Sequence, residues 1–100
     1  MVKHIVLWRL KPEAHGRTAV ENGRAIKDKL EALRGRIPGM LRLEVGLDFS
    51  RTDTSADVAL YSEFESRAAL DAYQVHPEHE AVKRFILEAR SERRLVDYEG

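Results

Sequence analysis

Residues Ala72 to Val82 read AYQVHPEHEAV and place Tyr73, His76 and His79 within one seven-residue span. A neutral imidazole is a base at physiological pH, and a phenol can donate a hydrogen bond to an oxygen on which negative charge develops. Side by side, the two suit removal of a proton next to a carbonyl. His79 falls in the first turn of a helix opening at Pro77, where the positive end of the helix dipole disfavours the imidazolium and keeps the ring neutral. A purely local reading also covers part of this stretch. His76 precedes a proline and is pushed toward extended geometry, Pro77 suits the first helical position, and Glu78 and Glu80 suit the positive helix start. That reading leaves the two histidines and the tyrosine open: His79 is either a base or a packed ring, and Tyr73 either a donor or a helix tyrosine with its hydroxyl in water.

His4, in mid-strand between apolar neighbours, is either a third member of the site or a buried histidine bonded to backbone or to a carboxylate. Val6, Trp8 and Phe64 are candidate pocket walls together with His76, although large aromatics on a buried strand face also serve as core. A metal would need three converging ligands, drawn from His76, His79 and either His4 or Glu80. Pro77 turns the backbone between His76 and His79, and no cysteine is present, so neither a metal nor a cofactor is expected. His15, beside Gly16 in a polar loop, is expected to be exposed. No glycine-rich phosphate loop, Ser-His-Asp arrangement or paired-carboxylate signature occurs.

These side chains must be positioned by a small set of elements. Val2 to Leu10 reads as a strand, with Val2, His4, Val6, Trp8 and Leu10 on one face and Ile5 and Leu7 on the other. From about Thr18 the spacing of Ile26, Leu30, Leu33 and Ile37 predicts a helix, stopped by Pro38 and Gly39. Leu41, Leu43, Val45 and Leu47 alternate with polar or small residues as a second strand, and Val58 to Glu65 is a third, joined to it by a long polar loop. Ser66 caps a short helix through Leu70 and Tyr73. Pro77 opens a longer one whose apolar face is Val82, Phe85, Ile86 and Ala89, and RRLVDYE closes the chain as a last strand. The order β-α-β-β-α-β predicts a single α+β domain over residues 1–100. It is ferredoxin-like, with four antiparallel strands carrying both helices on one face.

The bulk properties narrow the partners. One hundred residues bury a thin core, and strands apolar on both faces call for a second subunit, so a homodimer is expected. Seventeen basic residues balance seventeen acidic ones, which leaves no overall field for nucleic acid or an anionic membrane. The run Arg90, Arg93 and Arg94 is interrupted by Glu88 and Glu92 and reads as a solvated face. The apolar stretch at the start is short and broken by Lys3, His4 and Arg9, unlike a signal or a membrane span. With no cysteine requiring an oxidising compartment, a cytoplasmic location is expected.

The blocks VKHIVLWRLK, IPG with LEVGLDFS, DVALYSEFES, LDAYQVHPEHEAV and VDYE, in that order over nearly the whole chain, resemble the stress-responsive α/β-barrel proteins, the Dabb family. The resemblance implies a dimeric α+β barrel in which two ferredoxin-like sheets face each other with the helices outside. Some plant members are stress-stable assemblies, and at least one plant branch cyclises polyketide chains by an aldol reaction without metal or cofactor. In that branch a tyrosine and the second histidine of the Tyr-x-x-His-Pro-x-His block do the chemistry, with a first-strand histidine nearby. The matching positions here are Tyr73, His79 and His4. The chain departs from that branch in its first helix, where Ala19, Val20 and Gly23 stand in place of cavity-lining aromatics.

Three functions are compatible with these residues. One is a homodimer with a pocket for a small carbonyl-containing or polyketide-like molecule and cofactor-free acid–base chemistry, in which His79 is the base, Tyr73 the oxyanion donor, and His4 or His76 orients groups. Another is a non-enzymatic stress or assembly protein. The third is a cofactor-free enzyme resembling the monooxygenases of the same barrel fold.

Overall fold

The computed structural model describes residues 1–100. Nine elements follow in order: β1 (Val2–Leu10), β2 (Glu13–Ala14), β3 (Arg17–Thr18), α1 (Ala19–Glu31), β4 (Met40–Leu47), β5 (Val58–Phe64), α2 (Arg67–Gln74), α3 (Pro77–Ala89) and β6 (Arg90–Glu99). The main sheet runs β4-β5-β1-β6 with every neighbouring pair antiparallel. Apart from the miniature β2–β3 ladder this is the expected ferredoxin-like α+β arrangement. No helix is long and apolar enough to cross a membrane.

The faces of β1 divide as its alternation predicts. Val2, His4, Val6, Trp8 and Leu10 are buried beneath the helices, whereas Leu7 is exposed on the opposite face. Directly paired residues of antiparallel strands share a face. The helix-covered side therefore also carries Leu60 and Phe64 of β5 and Leu43 and Val45 of β4, all buried. With Ile26, Leu30, Tyr73, Val82 and Ile86 from the helices they form one continuous core.

Two local features depart from the sequence pattern, and a third adds detail to it. The first helix ends at Glu31, although Leu33 and Ile37 are buried as their spacing suggested. Past Ala32 the backbone tightens into bonds three residues apart, Leu33 N–H to the Leu30 carbonyl and Arg36 N–H to the Leu33 carbonyl, and Gly35 takes a positive φ. The apolar stripe thus continues on turns. In β4 the register shifts between Met40, opposite Phe64, and Arg42, opposite Glu63; Leu41 is the extra residue and turns out to solvent, 55% exposed. His15 is exposed as expected, but its ring is held in place. It shares a two-residue turn with Gly16, both at positive φ, and its ring stacks on Phe85 at 4.0 Å with Nε2 2.9 Å from the Phe85 carbonyl.

Caps place the helices as the local chemistry demands. Thr18 and Glu21 form a reciprocal capping box on α1. Ser66 caps α2 and His76 caps α3, with Pro77 at its first position. Gly39 sits at φ +79°, and a Cβ there would lie 2.6 Å from the Cβ of Ala69, so the turn after Pro38 brings backbone against α2 where no other residue fits. β6 begins directly at the end of α3 and spans ten residues, longer than its apolar pattern suggests, because it pairs along the whole of β1.

Candidate active site beneath the third helix

A cavity of about 440 Å³ lies between α3 and the sheet. Its floor is His4, Val6 and Trp8 of β1 with Leu60 of β5, and its roof includes His79 and Ile86 of α3. This size is in the range of small-molecule sites, and the lining joins its apolar residues and two imidazoles to the polar and charged side chains of Gln74, Glu80, Lys83, Arg84, Arg90 and Arg93.

His4 is 2% exposed, and its Nδ1 stands 2.5 Å from Oδ1 of Asp97. The pair exists because β1 and β6 run antiparallel with His4 directly opposite Asp97, both on the helix-covered face. Donation by Nδ1–H to the carboxylate leaves Nε2 as the ring's free lone pair. Burial holds the His4 pKa below its ordinary value, opposed by the hydrogen bond and charge of Asp97, so the ring is neutral near pH 7 and the carboxylate stands ready to balance a proton it receives.

His79 is fixed in the same sense by a different partner. Its Nδ1 lies 3.0 Å from the carbonyl oxygen of Tyr73, which can only accept, so Nδ1 carries the hydrogen and Nε2 is again the free base position. Burial lowers its pKa to about 4, against the raising effect of that carbonyl. The Tyr73 ring stacks on the imidazole at 3.8 Å and 12°, and a helix start that brings His79 back over Tyr73 is what the His76 cap and Pro77 produce.

Tyr73 is completely buried and does not itself line the cavity. Its hydroxyl has no hydrogen-bond partner, and burial pushes its pKa upward. Phe64, also fully buried, packs edge-on to His4 at 6.3 Å and tilted against Tyr73 at 5.1 Å, behind the lining rather than in it. His76 stands outside the cavity, its Nδ1 accepting from the Glu78 N–H at 3.2 Å. The structure thus brings His4, His79, Val6 and Trp8 together around one space, sets Tyr73 and Phe64 behind the two imidazoles, and leaves His76 at the helix cap. No three His, Asp or Glu side chains converge as a metal site.

Asp97 is the member the sequence pattern did not single out. The signal was present in the antiparallel pairing, where Val2 opposite Glu99 forces His4 opposite Asp97, but that register becomes visible only once β6 is known to pair with β1.

The fold has close counterparts. The chain superposes with a TM-score of 0.87 on a dimeric protein of unknown function and ferredoxin-like fold from Bacteroides fragilis, 34% identical over 99% of this chain and 95% of that one. A hydroxynitrile lyase from Passiflora edulis is 20% identical with a TM-score of 0.79, covering 97% of this chain and 90% of its own. An antibiotic biosynthesis monooxygenase is 22% identical with a TM-score of 0.75, covering 100% and 98%. At those identities the two enzymes share the fold. No curated protein matches the sequence. The stress responsive A/B barrel domain matches residues 2–100, and the chain belongs to that family, Dabb.

Proposed function

We propose that this chain is a small cytoplasmic homodimer that binds a carbonyl-containing molecule beneath α3 and performs cofactor-free acid–base chemistry on it. The observation that carries the reading is the cavity walled by two buried imidazoles, each with its tautomer fixed through Nδ1 and its Nε2 unprotonated. In this reading His79 Nε2 takes a proton from the carbon next to the carbonyl. The C–H electron pair becomes the C=C bond of an enolate as charge passes to oxygen. The Tyr73 hydroxyl has no protein partner but lies behind the imidazoles, so it serves as the oxyanion donor only when its ring shifts toward the cavity as the ligand binds. His4 with Asp97 is the second proton site, able to hold a positive charge against a carboxylate. Val6 and Trp8 shape the wall, Phe64 braces the His4 ring, and His76 sets the helix start that carries His79.

The other face of the sheet supports the dimer: Leu7, Val96 and Tyr98 are exposed there and no helix of the chain covers them. The relatives' dimeric state supports packing two such faces into a barrel with the helices outside. Two enzymes on the same fold support a catalytic use of it, while the reaction of each remains its own.

Hydrogen–deuterium exchange at the α-carbon of an aryl ketone, followed by NMR in D₂O, tests the chemistry without knowledge of the product. Exchange accelerated by the protein and lost in His79→Ala supports the reading. Exchange no faster than in buffer for a ketone shown to bind would defeat it.

A further inference from the structure

The solvent-facing wall of the cavity is cationic. Arg84 of α3, Arg90 at the junction of α3 with β6, and Arg93 of β6 all line it, and none of the three guanidiniums takes part in an ion pair or donates a hydrogen bond within the chain. Lys83 is a fourth cation there, already committed to Glu80 at 3.0 Å and to the Gln74 carbonyl at 3.0 Å. The chain as a whole has no net charge, so this is a local concentration and not the edge of a general basic field. The arginine run in the sequence is in fact divided between faces: Arg93 pairs with Trp8 on the cavity side, Arg94 with Leu7 on the other.

The cavity is also polarised along its length. Arg93 lies opposite Trp8, while Asp97 lies opposite His4, four residues further along β6 and therefore about 13 Å away at about 3.3 Å per residue. Along β6 the carboxylate thus stands beside His4, while Arg93 and Arg90 stand opposite Trp8 and Leu10, although the Arg93 charge is still felt by the His4 ring. The acidic Glu80 in the lining is already paired with Lys83.

We propose that the ligand of this cavity is an acid: a molecule with an oxyanion head group, a carboxylate or phosphate monoester, held by Arg84, Arg90 and Arg93, whose carbonyl reaches past Val6 and Trp8 toward His79 and His4. The proposal deepens the function argued above and rests on it. An acid anchored at the arginines is kept clear of Asp97, and guanidinium groups bind such oxyanions in paired geometry.

The test uses the unaltered protein and three probes in calorimetry: 6-oxo-6-phenylhexanoate, its methyl ester, and 5-oxo-5-phenylpentyl phosphate. At low salt at least one ion should bind tenfold or more tighter than the ester, with the tighter of the two naming the head group. Arg84→Gln with Arg93→Gln should bring ion and ester close to parity, and raising salt from 50 to 500 mM should narrow the gap in the unaltered protein. Equal binding of ester and ions, or a preference that survives the double substitution, overturns the anionic assignment while leaving the cavity as a ligand site. Failure of all three probes to bind at millimolar concentration removes the cavity reading, and this proposal with it.

Discussion

Asp97 lies 2.5 Å from the inner nitrogen of His4, and the two are joined by direct cross-strand pairing of residues 93 positions apart. Asp97 is itself about one-third exposed, so the carboxylate remains hydrated on one side while its partner ring is enclosed. A proton arriving on His4 is stabilised by a charge that needs no reorganisation. Asp97→Asn keeps a hydrogen-bonding group of the same shape and removes that charge. The expected outcome is a fall in α-proton exchange of about a hundredfold, with a melting temperature close to that of the unaltered protein. Rates measured beside thermal melts check it; unchanged exchange would reduce Asp97 to a structural partner.

Tyr73→Phe separates the two roles of the tyrosine. Its ring packs against His79 and Phe64, and phenylalanine retains that packing. The hydroxyl is buried with no partner, so deleting it removes an uncompensated polar group and should leave stability unchanged or raise it by up to about 1 kcal/mol. If the hydroxyl is the oxyanion donor, exchange should nonetheless fall by about a hundredfold. Chemical denaturation with kinetics on the same sample gives both numbers. A loss of stability without a loss of rate would mean that the hydroxyl has a structural partner and no chemical role.

How much of this was legible in the sequence depends on the distance over which each feature is determined. The β1 faces could be read because strict alternation between Val2 and Leu10 is a local property, and the α3 start because Pro77 and its neighbouring glutamates each have a positional preference. The spacing of apolar residues overextends α1, because Leu33 and Ile37 keep helical spacing while the backbone beneath them has already turned. Leu41 left its strand face through a bulge that no periodicity announces. In the site, His4, His79, Val6 and Trp8 could be named from residue type and face. Asp97 and the split of Arg93 from Arg94 could not, since both follow from the register of β6 on β1.

His79 makes stability depend on pH in a direction its burial determines. Its folded pKa is about 4 against an ordinary value of 6.5, so the unfolded chain takes up a proton that the folded chain refuses. The stabilisation is complete above about pH 6.5, declines as pH falls and is gone near pH 4; the maximum is on the order of 3 kcal/mol for a shift of this size. His4, lowered in the same direction, adds to the trend. Urea unfolding of the unaltered protein and of His79→Gln between pH 7 and 4 should show a smaller loss in the variant. Parallel pH profiles would mean that His79 is not held neutral by the fold.

The uncovered face of the sheet supplies the last prediction. In the single chain Leu7 is 41% exposed, Val96 52% and Tyr98 45%, and β1 pairing places Leu7 and Arg94, Ile5 and Val96, and Lys3 and Tyr98 side by side on that face. Only 23 of the 100 residues are buried in the isolated chain, a thin core that a second sheet laid against this face would thicken. Leu7→Glu puts a carboxylate where the facing sheets would exclude water. Because Leu7 contributes little to the subunit's own core, the variant should keep its secondary structure, sediment as a monomer at micromolar concentration where the unaltered protein sediments as a dimer, and melt at a lower temperature. Leu7→Gln, polar without charge, should weaken the dimer by a smaller factor, which guards against a collapse of the fold being mistaken for loss of the interface. A Leu7→Glu protein that remains folded and dimeric would place the interface elsewhere and leave the exposed strand face without a partner.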